Sequence, residues 1–476
     1  MYEAASQRAL HSQVHEPAAT EPNHDVFPAE YASSEYQSEY VKPYRAAILI
    51  EPRLETVKPS EWTTYCFKEI PNRFKYWEPE ALGYRFLAEA KRMWEIQLIS
   101  RKYRHLATVQ AALMMNIIHD LHGLDKVGDI YGLKGWAIAQ EMRLFDGNAH
   151  ILSERVRNAR NFTAWCLFGI DSHLAWQFFR PPFLVKPPTF ALPDPSVNAA
   201  WYGEIWLRYP LSETLSPVHC GDVFKALFDL RVILNELCHA SFGTDLKLPA
   251  EQAMAFARRL TTWYKGLPIS LTPKFIVLPV HLLIHLDYLN ALMVVCQPFL
   301  DNEWDSELVP KDIASNAKRD INILTRLYYF RHGFEDPAAY LTAPLVKLGF
   351  TSMHSINSQM APEKLYYMRS SLLLALKGLR EQGRNFYITR TVYHIIKNQL
   401  RPEEARLLQG TEDPESVSDE SPQLEGEVQS AWTPIVFDIY KDPSEDELSK
   451  LAKRFLKLDS GGQSDSEADN SSPLPV

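Results

Sequence analysis

The sequence predicts an all-α protein: a large, irregular multi-helix domain in two helical halves, with disordered N- and C-terminal segments. Three observations support this fold class. Apolar residues recur at helical spacing from about residue 62 to about residue 400. Alternating runs bounded by Asn-Gly or Asp-Gly turns, which are typical of β-hairpins, are nearly absent. The 476 residues include 46% hydrophobic side chains, enough for one large core or two smaller ones.

The individual helices are predicted from ladders of apolar residues. The first two cover 86–97 and 109–121, where apolar side chains recur three and four residues apart. A later helix over 256–264 ends before Gly266 and Pro268, because both residue types stop helices. Three further helical stretches lie near the C-terminal end of the body, at 321–330, 364–379 and 385–400.

Residues 275–300 are long and apolar enough to resemble a membrane-spanning segment. They also contain five polar side chains, namely His281, His285, Asp287, Asn290 and Gln297. Such side chains are costly in a bilayer core unless they have partners. We therefore predict a buried core helix that begins near Pro279, and no membrane partner.

A proline-rich stretch at 181–195 predicts an extended loop, because proline lacks an N–H donor and disfavours helix in the preceding residue. This loop divides the predicted body, 61–405, into halves of about 61–195 and 196–405. We expect the halves to share a core rather than to fold independently. Residues 1–60 mix polar and small side chains without periodicity and are predicted to be disordered.

Charge is distributed unevenly along the chain. Residues 411–476 contain 16 acidic and 5 basic side chains, a formal charge of −11, so the rest carries +2 of the total −9. A body so close to neutrality has no global field that attracts nucleic acid. We interpret residues 406–476 as an acidic, mostly disordered tail.

The tail contains two apolar islands, at 431–440 and 448–459. Acidic-hydrophobic alternation is typical of activation segments, in which charge repulsion keeps aromatic anchors solvated and available to a partner's groove. The candidate anchors are Trp432, Ile435, Phe437, Ile439 and Tyr440. The alternative, given equal weight, is a solvated linker that ends in a small docking helix.

No motif predicts an enzyme. The chain lacks the phosphate-binding loop, the dinucleotide-binding glycine motif, the serine nucleophile elbow and the HExxH zinc motif. Asp120 and Asp125 stand alone in the sequence, so no aspartate cluster for metal-bound diphosphate is predicted.

Two histidine pairs have a spacing that places both imidazoles on one helix face: His119 with His122, and His281 with His285. Lacking a third ligand nearby, they are interpreted as helix-interface residues.

The five cysteines also give no metal or disulfide signal. They are odd in number and widely separated: Cys66, Cys166, Cys220, Cys238 and Cys296. Neither a disulfide framework nor a zinc knuckle follows from this spacing. The pattern is typical of thiols in a reducing compartment.

Six short motifs occur in an order found in one known family. They are TVQAALMM (108–115), GWAIAQEM (135–142), the stretch from ERVRNAR to RPPFL (154–184), ALP (191–193), WYKGLP (263–268), and LIHLDY (283–288) followed by QPFL (297–300). The chain from roughly 85 to 300 thereby resembles the regulatory domain of fungal binuclear zinc-cluster transcription factors, also called the fungal-specific or xylanolytic-activator domain. The residues on matching positions are Trp136, Glu154, Arg157, Trp165, Asp171, Arg180, Pro181, Trp263, Pro268, His285, Tyr288, Pro298 and Phe299.

Physical chemistry gives these motif residues structural roles. Trp165 and Phe299 are predicted core anchors, and Asp171 and Arg180 are predicted to hold the proline-rich loop against its helix through a charge-assisted hydrogen bond. The chain departs from the family at several positions, including Phe179 in place of a glycine. No catalytic, metal-binding or DNA-binding residue is predicted.

The resemblance implies a nuclear location and a role in transcription. The family's DNA-binding module is an N-terminal run of six cysteines that holds two zinc ions, whereas the first cysteine here is Cys66. We therefore expect no cofactor in the chain as given. DNA contact is expected only indirectly, through a DNA-binding partner or a zinc cluster missing from this sequence. The other partners implied are the transcription machinery, a second copy in a homodimer and a small-molecule effector.

Three functional hypotheses follow. The leading one is a nuclear regulator of RNA polymerase II transcription in a fungus, controlling metabolic or biosynthetic genes, with a regulatory helical body and an activating acidic tail. The second makes the body a small-molecule sensor or inhibitory interaction module without DNA binding, marked by a pocket lined with aromatics of both halves. The third is an all-α enzyme, which requires acids or histidines of shifted pKa in a cleft.

Overall fold

A computed structural model gives the fold of most of the chain. The residues it describes are 73–99, 104–147, 153–208, 215–243, 247–276, 278–302, 309–335, 337–357, 359–411, 428–434, 439–440 and 443–456. All structural statements here concern these residues. The predicted disordered segments, 1–60 and much of 406–476, lie outside them.

Four long helices precede the proline-rich loop: α1 (Leu82–Ile99), α2 (Leu106–Leu121), α3 (Asp125–Glu141) and α4 (Glu154–Gln177). After the loop come a short helix, α5 (Ala199–Tyr202), and two three-residue strands, β1 (Trp206–Arg208) and β2 (Leu215–Pro217). The strands pair antiparallel, with Trp206 opposite Pro217. Among the described residues, this small two-stranded ribbon is the β-structure in an otherwise helical fold.

Beyond β2, the described part of the chain contains helices and no further strand. These helices are α6 (Cys220–Phe242), α7 (Ala250–Lys265), α8 (Pro279–Cys296), α9 (Pro310–His332), α10 (Thr342–Ser355), α11 (Pro362–Gly383), α12 (Tyr387–Asn398), α13 (Pro402–Thr411) and α14 (Leu448–Leu456). Short 3-10 segments lie at Ile269–Leu271, Gln297–Phe299, Ala339–Leu341 and Pro443–Asp446. The all-α prediction is confirmed.

Local chemistry explains where several helices begin and end. Pro279, Pro310 and Pro362 each occupy the first helical position of α8, α9 and α11. Proline is tolerated there because the first N–H groups of a helix have no partner within the helix. Helix α7 ends at Lys265, directly before Gly266, as the sequence predicts.

Two hydrophobic clusters make up most of the core, and each draws on residues from both sides of the proline-rich loop. The smaller one packs α2, α3 and α4 around Trp136 and Phe168, together with Phe228 of α6. The larger one packs α6 to α12 and α14, together with Trp176 and Phe179 from the end of α4. The two helical halves therefore share buried side chains.

Helix α8 lies at the centre of the larger cluster. Together, α8 and the turn that follows it span Pro279–Phe299 and are long and apolar enough to cross a membrane. However, 78% of the most apolar 18-residue stretch is buried inside the fold. It packs against α7 and α9 along much of its length. As predicted, it is a buried core helix that begins at Pro279.

Candidate functional site

The motif tryptophans of the first half attach the proline-rich loop to the helices. Trp136 is 3% exposed, and its ring centroid lies 4.9 Å from that of Phe183 in the loop. Trp165 donates from Nε1 to the Phe190 carbonyl at 3.2 Å, and its ring meets Phe228 of α6 edge-on at 6.0 Å. Both side chains combine apolar burial with a fixed loop position.

Asp171 and Arg180 also hold this loop, but with different partners from those predicted. Asp171 is 1% exposed and accepts the Leu184 N–H at 2.7 Å. Arg180 instead forms a bidentate pair with Asp129 of α3, with both N–O distances at 3.2 Å. The prediction of one shared hydrogen bond is wrong, because the chain turns after α4 and directs the guanidinium toward α3. Burial raises the pKa of Asp171 to about 6, against backbone hydrogen bonds that lower it.

The motif aromatics of the second half join α7 to its neighbours. Trp263 donates from Nε1 to the Ala226 carbonyl of α6 at 3.1 Å. The Tyr288 ring of α8 stacks on that of Tyr264, with centroids 4.6 Å apart and planes 6° apart. These contacts place α7 between α6 and α8.

The motif histidine His285 is a buried interface residue. Its Nε2 lies 2.8 Å from the Leu271 carbonyl oxygen, and the side chain is 1% exposed. Its predicted pair-mate His281 lies 3.2 Å from the Val218 carbonyl through its own Nε2. Burial lowers the pKa of each imidazole to about 4, so both are neutral near pH 7.

The remaining motif residues lie at helix ends and turns. Glu154, Pro181 and Pro268 are exposed, Arg157 and Pro298 are partly exposed, and Phe299 is 3% exposed. In the described part of the chain, the motif residues are thus spread over helix interfaces rather than gathered around one cavity. Their functional importance stays a prediction.

The turn between α2 and α3 contains an acidic cluster that the sequence spacing does not reveal. The charges of Asp125 and Asp129 act on the Asp120 carboxyl across the tight turn at Gly123, although the sequence contains no run of aspartates there. Burial, followed by the carboxylates of Asp125 and Asp129, raises the pKa of Asp120 to about 8, while Arg180 opposes this. The available sequence signal is the spacing of these aspartates, which are five residues apart across the turn at Gly123 and then four residues apart along α3.

The first histidine pair lies beside this turn. His119 is 1% exposed, and its Nδ1 lies 2.6 Å from the Met115 carbonyl oxygen. The His122 ring stacks on Tyr76 at 4.5 Å. Within the described residues, no group of three or more His, Cys, Asp or Glu side chains is arranged to hold a metal ion. The four described cysteines are free thiols.

A surface pocket of about 260 Å³ lies between α10, α11, α12 and α13. Its lining includes Met353, Ile356, Leu372, Arg401 and Glu404, all from the second half. Arg401 donates to the Ile356 carbonyl at 2.7 Å. This pocket lacks the aromatic lining from both halves that the sensor hypothesis predicts.

The described C-terminal residues 428–434, 439–440 and 443–456, here called the C-terminal segment, pack on the helical body. Trp432 is 7% exposed and Ile439 is 5% exposed, and both belong to the larger hydrophobic cluster. The Tyr440 hydroxyl donates to the Leu248 carbonyl, and its ring meets Phe299 edge-on at 5.4 Å. Phe299 is therefore the motif residue that receives this segment.

Backbone hydrogen bonds connect the C-terminal segment to the turn between α2 and α3. The Gln429 N–H donates to the Gly123 carbonyl at 3.0 Å. The Ala431 N–H donates to the Asp125 carboxylate at 2.9 Å. Burial raises the pKa of Asp125, and its bonds with Ser430 and Ala431 act in the opposite direction.

Helix α14 continues the segment onto α12. Leu448 and Leu451 are 0% and 1% exposed. The Leu448 N–H donates to the Trp432 carbonyl at 2.7 Å, and Asn398 of α12 donates from Nδ2 to the Phe455 carbonyl at 3.1 Å. The small docking helix considered as an alternative is thus present in the structure.

This packing bears on the candidate activation anchors. Trp432 and Ile439 are buried, and Tyr440 is partly buried, so the expectation that these anchors are solvated does not hold for them. The reason is that the body offers an apolar surface large enough to cover them. Ile435 and Phe437 lie outside the described residues.

Comparisons with known proteins supply the functional context. The chain is 25% identical over 342 residues to the nitrogen assimilation transcription factor nirA of Emericella nidulans. It is 24% identical over 352 residues to the nitrogen assimilation transcription factor nit-4 of Neurospora crassa. Its relatives are fungal transcription factors. The resemblance seen in the sequence motifs is thereby confirmed.

The matches cover a larger share of this chain than of either relative. They cover 66% and 68% of this chain but 36% of nirA and 31% of nit-4. The chain therefore matches about a third of the length of these curated relatives. No protein-family profile matches the chain, and no solved structure does.

Proposed function

We propose that the chain acts as a nuclear regulator of RNA polymerase II transcription in a fungus, without enzymatic activity. The observation that carries this proposal is the similarity to two fungal transcription factors over about two thirds of the chain. Both relatives are described as nitrogen assimilation factors, so we propose nitrogen metabolism as the class of genes controlled.

Within this proposal, residues 61–405 form the regulatory domain and the region from 406 onward contributes a contact with the transcription machinery. The shared core of both helical halves supports treating 61–405 as one unit. DNA is reached through a zinc-cluster module or through a DNA-binding partner. A homodimer is compatible with either route.

The burial of Trp432 and Ile439 implies that activation involves a change in the position of the C-terminal segment. In the described conformation these anchors face the body, so contact with a coactivator requires the C-terminal segment to leave it. The docked segment is then a closed state, and its release exposes the apolar residues.

The experiment fuses the full chain to an unrelated DNA-binding domain in a fungal host, with one reporter that starts silent and one that starts active. We expect transcription to rise on the first or fall on the second. A parallel fusion of residues 411–476 tests the tail alone, and a silent reporter there counts against activation by the tail. If the full-chain fusion enters the nucleus and leaves both reporters unchanged, the regulatory proposal fails.

A further inference from the structure

The surface pocket between α10, α11, α12 and α13, here called the α13 pocket, has an apolar inner end and a polar opening. Leu372 and Ile356 are 1% and 4% exposed and lie at its inner end. His354 and Arg401 also line it and are exposed, so they mark its opening to solvent. The apolar lining residues are Met353, Ile356, Leu372 and Leu400.

The volume of the α13 pocket limits the size of a ligand. A water molecule occupies about 30 Å³ in the liquid, so a pocket of about 260 Å³ has room for a ligand of roughly eight to ten non-hydrogen atoms. That is the size of a small metabolite with a short apolar portion.

Arg401 presents donor groups at the opening of the pocket. Its Nη2 donates to the Ile356 carbonyl at 2.7 Å, which fixes one edge of the guanidinium. A guanidinium has five N–H donors in a planar fork that matches the geometry of a carboxylate. Because Arg401 is exposed, its other donors are within reach of a ligand that enters from solvent.

Glu404 supplies the opposite charge. It lines the pocket and is 4% exposed. Its Oε1 accepts from Arg369 Nε at 2.8 Å, whereas its Oε2 has no hydrogen-bond partner among the described residues and is shielded from solvent. Charges shielded from water are screened much less than exposed ones, so this carboxylate attracts a cation in the adjoining pocket.

The two charges are close together because of the way α13 begins. The Arg401 carbonyl accepts the first hydrogen bond of the helix, from the Ala405 N–H at 2.9 Å. Arg401 therefore occupies the N-cap position and Glu404 the third helical position, and side chains at these two positions are near enough to interact. A ligand with adjacent positive and negative groups fits this spacing.

Gln399 offers a neutral acceptor beside these charges. Its Nε2 donates to the Ile395 carbonyl at 3.0 Å, which leaves the side-chain oxygen to accept from a ligand. The residue lines the pocket and is partly exposed. Its oxygen and the charge of Glu404 together suit an ammonium group.

The charges around the pocket balance one another. Arg369 pairs with both Glu403 and Glu404, and Arg401 adds a second cation. Two guanidinium groups thus stand against two carboxylates, so a ligand without net charge preserves the balance. A zwitterion does so and still offers one charged group to Arg401 and the other to Glu404.

We propose that the α13 pocket binds a small α-amino acid with an apolar side chain. The ligand carboxylate accepts from Arg401, and its ammonium group donates to the Gln399 oxygen under the attraction of Glu404. The ligand side chain packs against Leu372 and Ile356. Ligand binding here does not depend on the proposed role in transcription.

The test titrates the full chain with L-leucine, L-isoleucine and L-methionine in an isothermal titration calorimeter. Two analogues of leucine each lack one charged group: isocaproate lacks the ammonium, and isopentylamine lacks the carboxylate. We expect saturable binding of leucine and roughly tenfold or greater weakening with each analogue, because each loses a charge-assisted hydrogen bond.

Two results overturn the proposal. One is no saturable binding of any of the three amino acids at concentrations up to about 10 mM. The other is isocaproate that binds as tightly as leucine, which indicates a simple anion site at Arg401.

The site variant is Glu404→Gln, which removes the charge and keeps an acceptor for Arg369. The matched control is Glu403→Gln, which removes the other carboxylate that pairs with Arg369 but does not line the pocket. We expect roughly tenfold weaker leucine binding in the site variant and unchanged binding in the control. Equal affinities of the two variants overturn the proposal.

A second variant, Arg401→Gln, keeps the test decisive if Glu404→Gln does not fold, because Arg401 is exposed. We expect its affinity for leucine to fall, while its affinity for isopentylamine, which has no carboxylate, stays that of the wild-type chain. Arg406→Gln is the control, since Arg406 is exposed on the same helix and does not line the pocket. Wild-type affinity for leucine in a folded Arg401→Gln variant overturns the proposal.

Discussion

Phe179 ends helix α4 in the left-handed backbone conformation, with φ of 50°. The Arg180 N–H donates to the Ala175 carbonyl at 3.0 Å, which is the long hydrogen bond of a Schellman C-cap. Glycine usually occupies this position because a side chain in that conformation costs about 1–2 kcal/mol. Here the aromatic ring offsets the cost, since it is 8% exposed and packs 5.9 Å from Trp176 and 5.8 Å from Phe242.

Substitutions of Phe179 should therefore distinguish the contribution of side-chain packing to the free energy of unfolding from the cost of backbone strain. Phe179→Ala should destabilise the chain by about 3–5 kcal/mol through lost packing. Phe179→Gly should be less harmful by about 0.5–1 kcal/mol, because glycine relieves the left-handed strain. Denaturant unfolding measures both values. At the neighbouring Phe178, where φ is −100°, the glycine variant should be no more stable than the alanine variant. If glycine were more stable than alanine at both positions, relief of left-handed strain at Phe179 would not explain the difference.

His285 predicts a pH dependence of stability. Its pKa is lowered to about 4 by burial, whereas an unfolded histidine titrates near 6.5. The unfolded chain therefore binds the proton first, so this contribution to stability is complete above about pH 6.5 and is lost as the pH falls toward 4.

The variant His285→Gln should show a shallower loss of the free energy of unfolding between pH 6.5 and pH 4. The expected difference in that loss is on the order of 2 kcal/mol. Urea denaturation at a series of pH values measures the slope and does not depend on the variant's absolute stability. A slope equal to that of the wild-type chain would show that the pKa of His285 does not differ between the folded and unfolded states.

At the scale of helices, glycines set how closely neighbouring elements approach. On α4, a Cβ added at Gly169 would lie 2.3 Å from Cε1 of Phe228 on α6. On α3, one added at Gly132 would lie 2.6 Å from the side-chain oxygen of Asn116 on α2. Both helix pairs therefore pack so closely that a larger residue at either glycine position would clash with the neighbouring helix.

Gly169→Ala should lower stability by about 1–3 kcal/mol through overpacking, despite the better helix propensity of alanine. Thermal or urea unfolding measures the change. Gly83 in α1 is the matched control, because a Cβ there meets nothing within 4 Å. Gly83→Ala should be neutral or slightly stabilising, and equal effects of the two substitutions would contradict a steric origin.

At the scale of the whole molecule, the C-terminal segment connects distant parts of the body. It bonds to Gly123 and Asp125 in the first half and to Asn398 in the second. Helix α14 is anchored by Leu448 and Leu451, which are both almost fully buried. A charge placed at this interface should release the segment and leave the larger core in place.

The variant Leu451→Glu should increase hydrogen exchange in residues 428–434 and in the turn at Gly123, since a buried unpaired carboxylate is costly. Lys453→Glu is the control, because Lys453 is exposed on the same helix. Amide exchange read by mass spectrometry compares the two variants. Equal protection in both would show that the segment is not held through α14.

The candidate residues illustrate how far sequence patterns reach. The burial of Trp165 and Phe299 agrees with their prediction as core anchors, which rests on residue type and the neighbouring sequence. The partner of Arg180 does not follow, because Asp129 of α3 lies 51 residues away and comes close only in the folded chain. Likewise, nothing in the acidic tail indicates that Trp432 is buried.

The sequence by itself determined the helical fold class, the breaks at Gly266 and the proline-rich loop, and the resemblance to fungal transcription factors. These features depend on spacing and residue type within short stretches, which the chain displays before it folds. Only the tertiary structure decided that the Ala431 N–H meets Asp125, 306 residues away, and that Arg401 and Glu404 line one pocket with Leu372 of α11. Such contacts depend on how whole helices stack, and no local pattern records that arrangement.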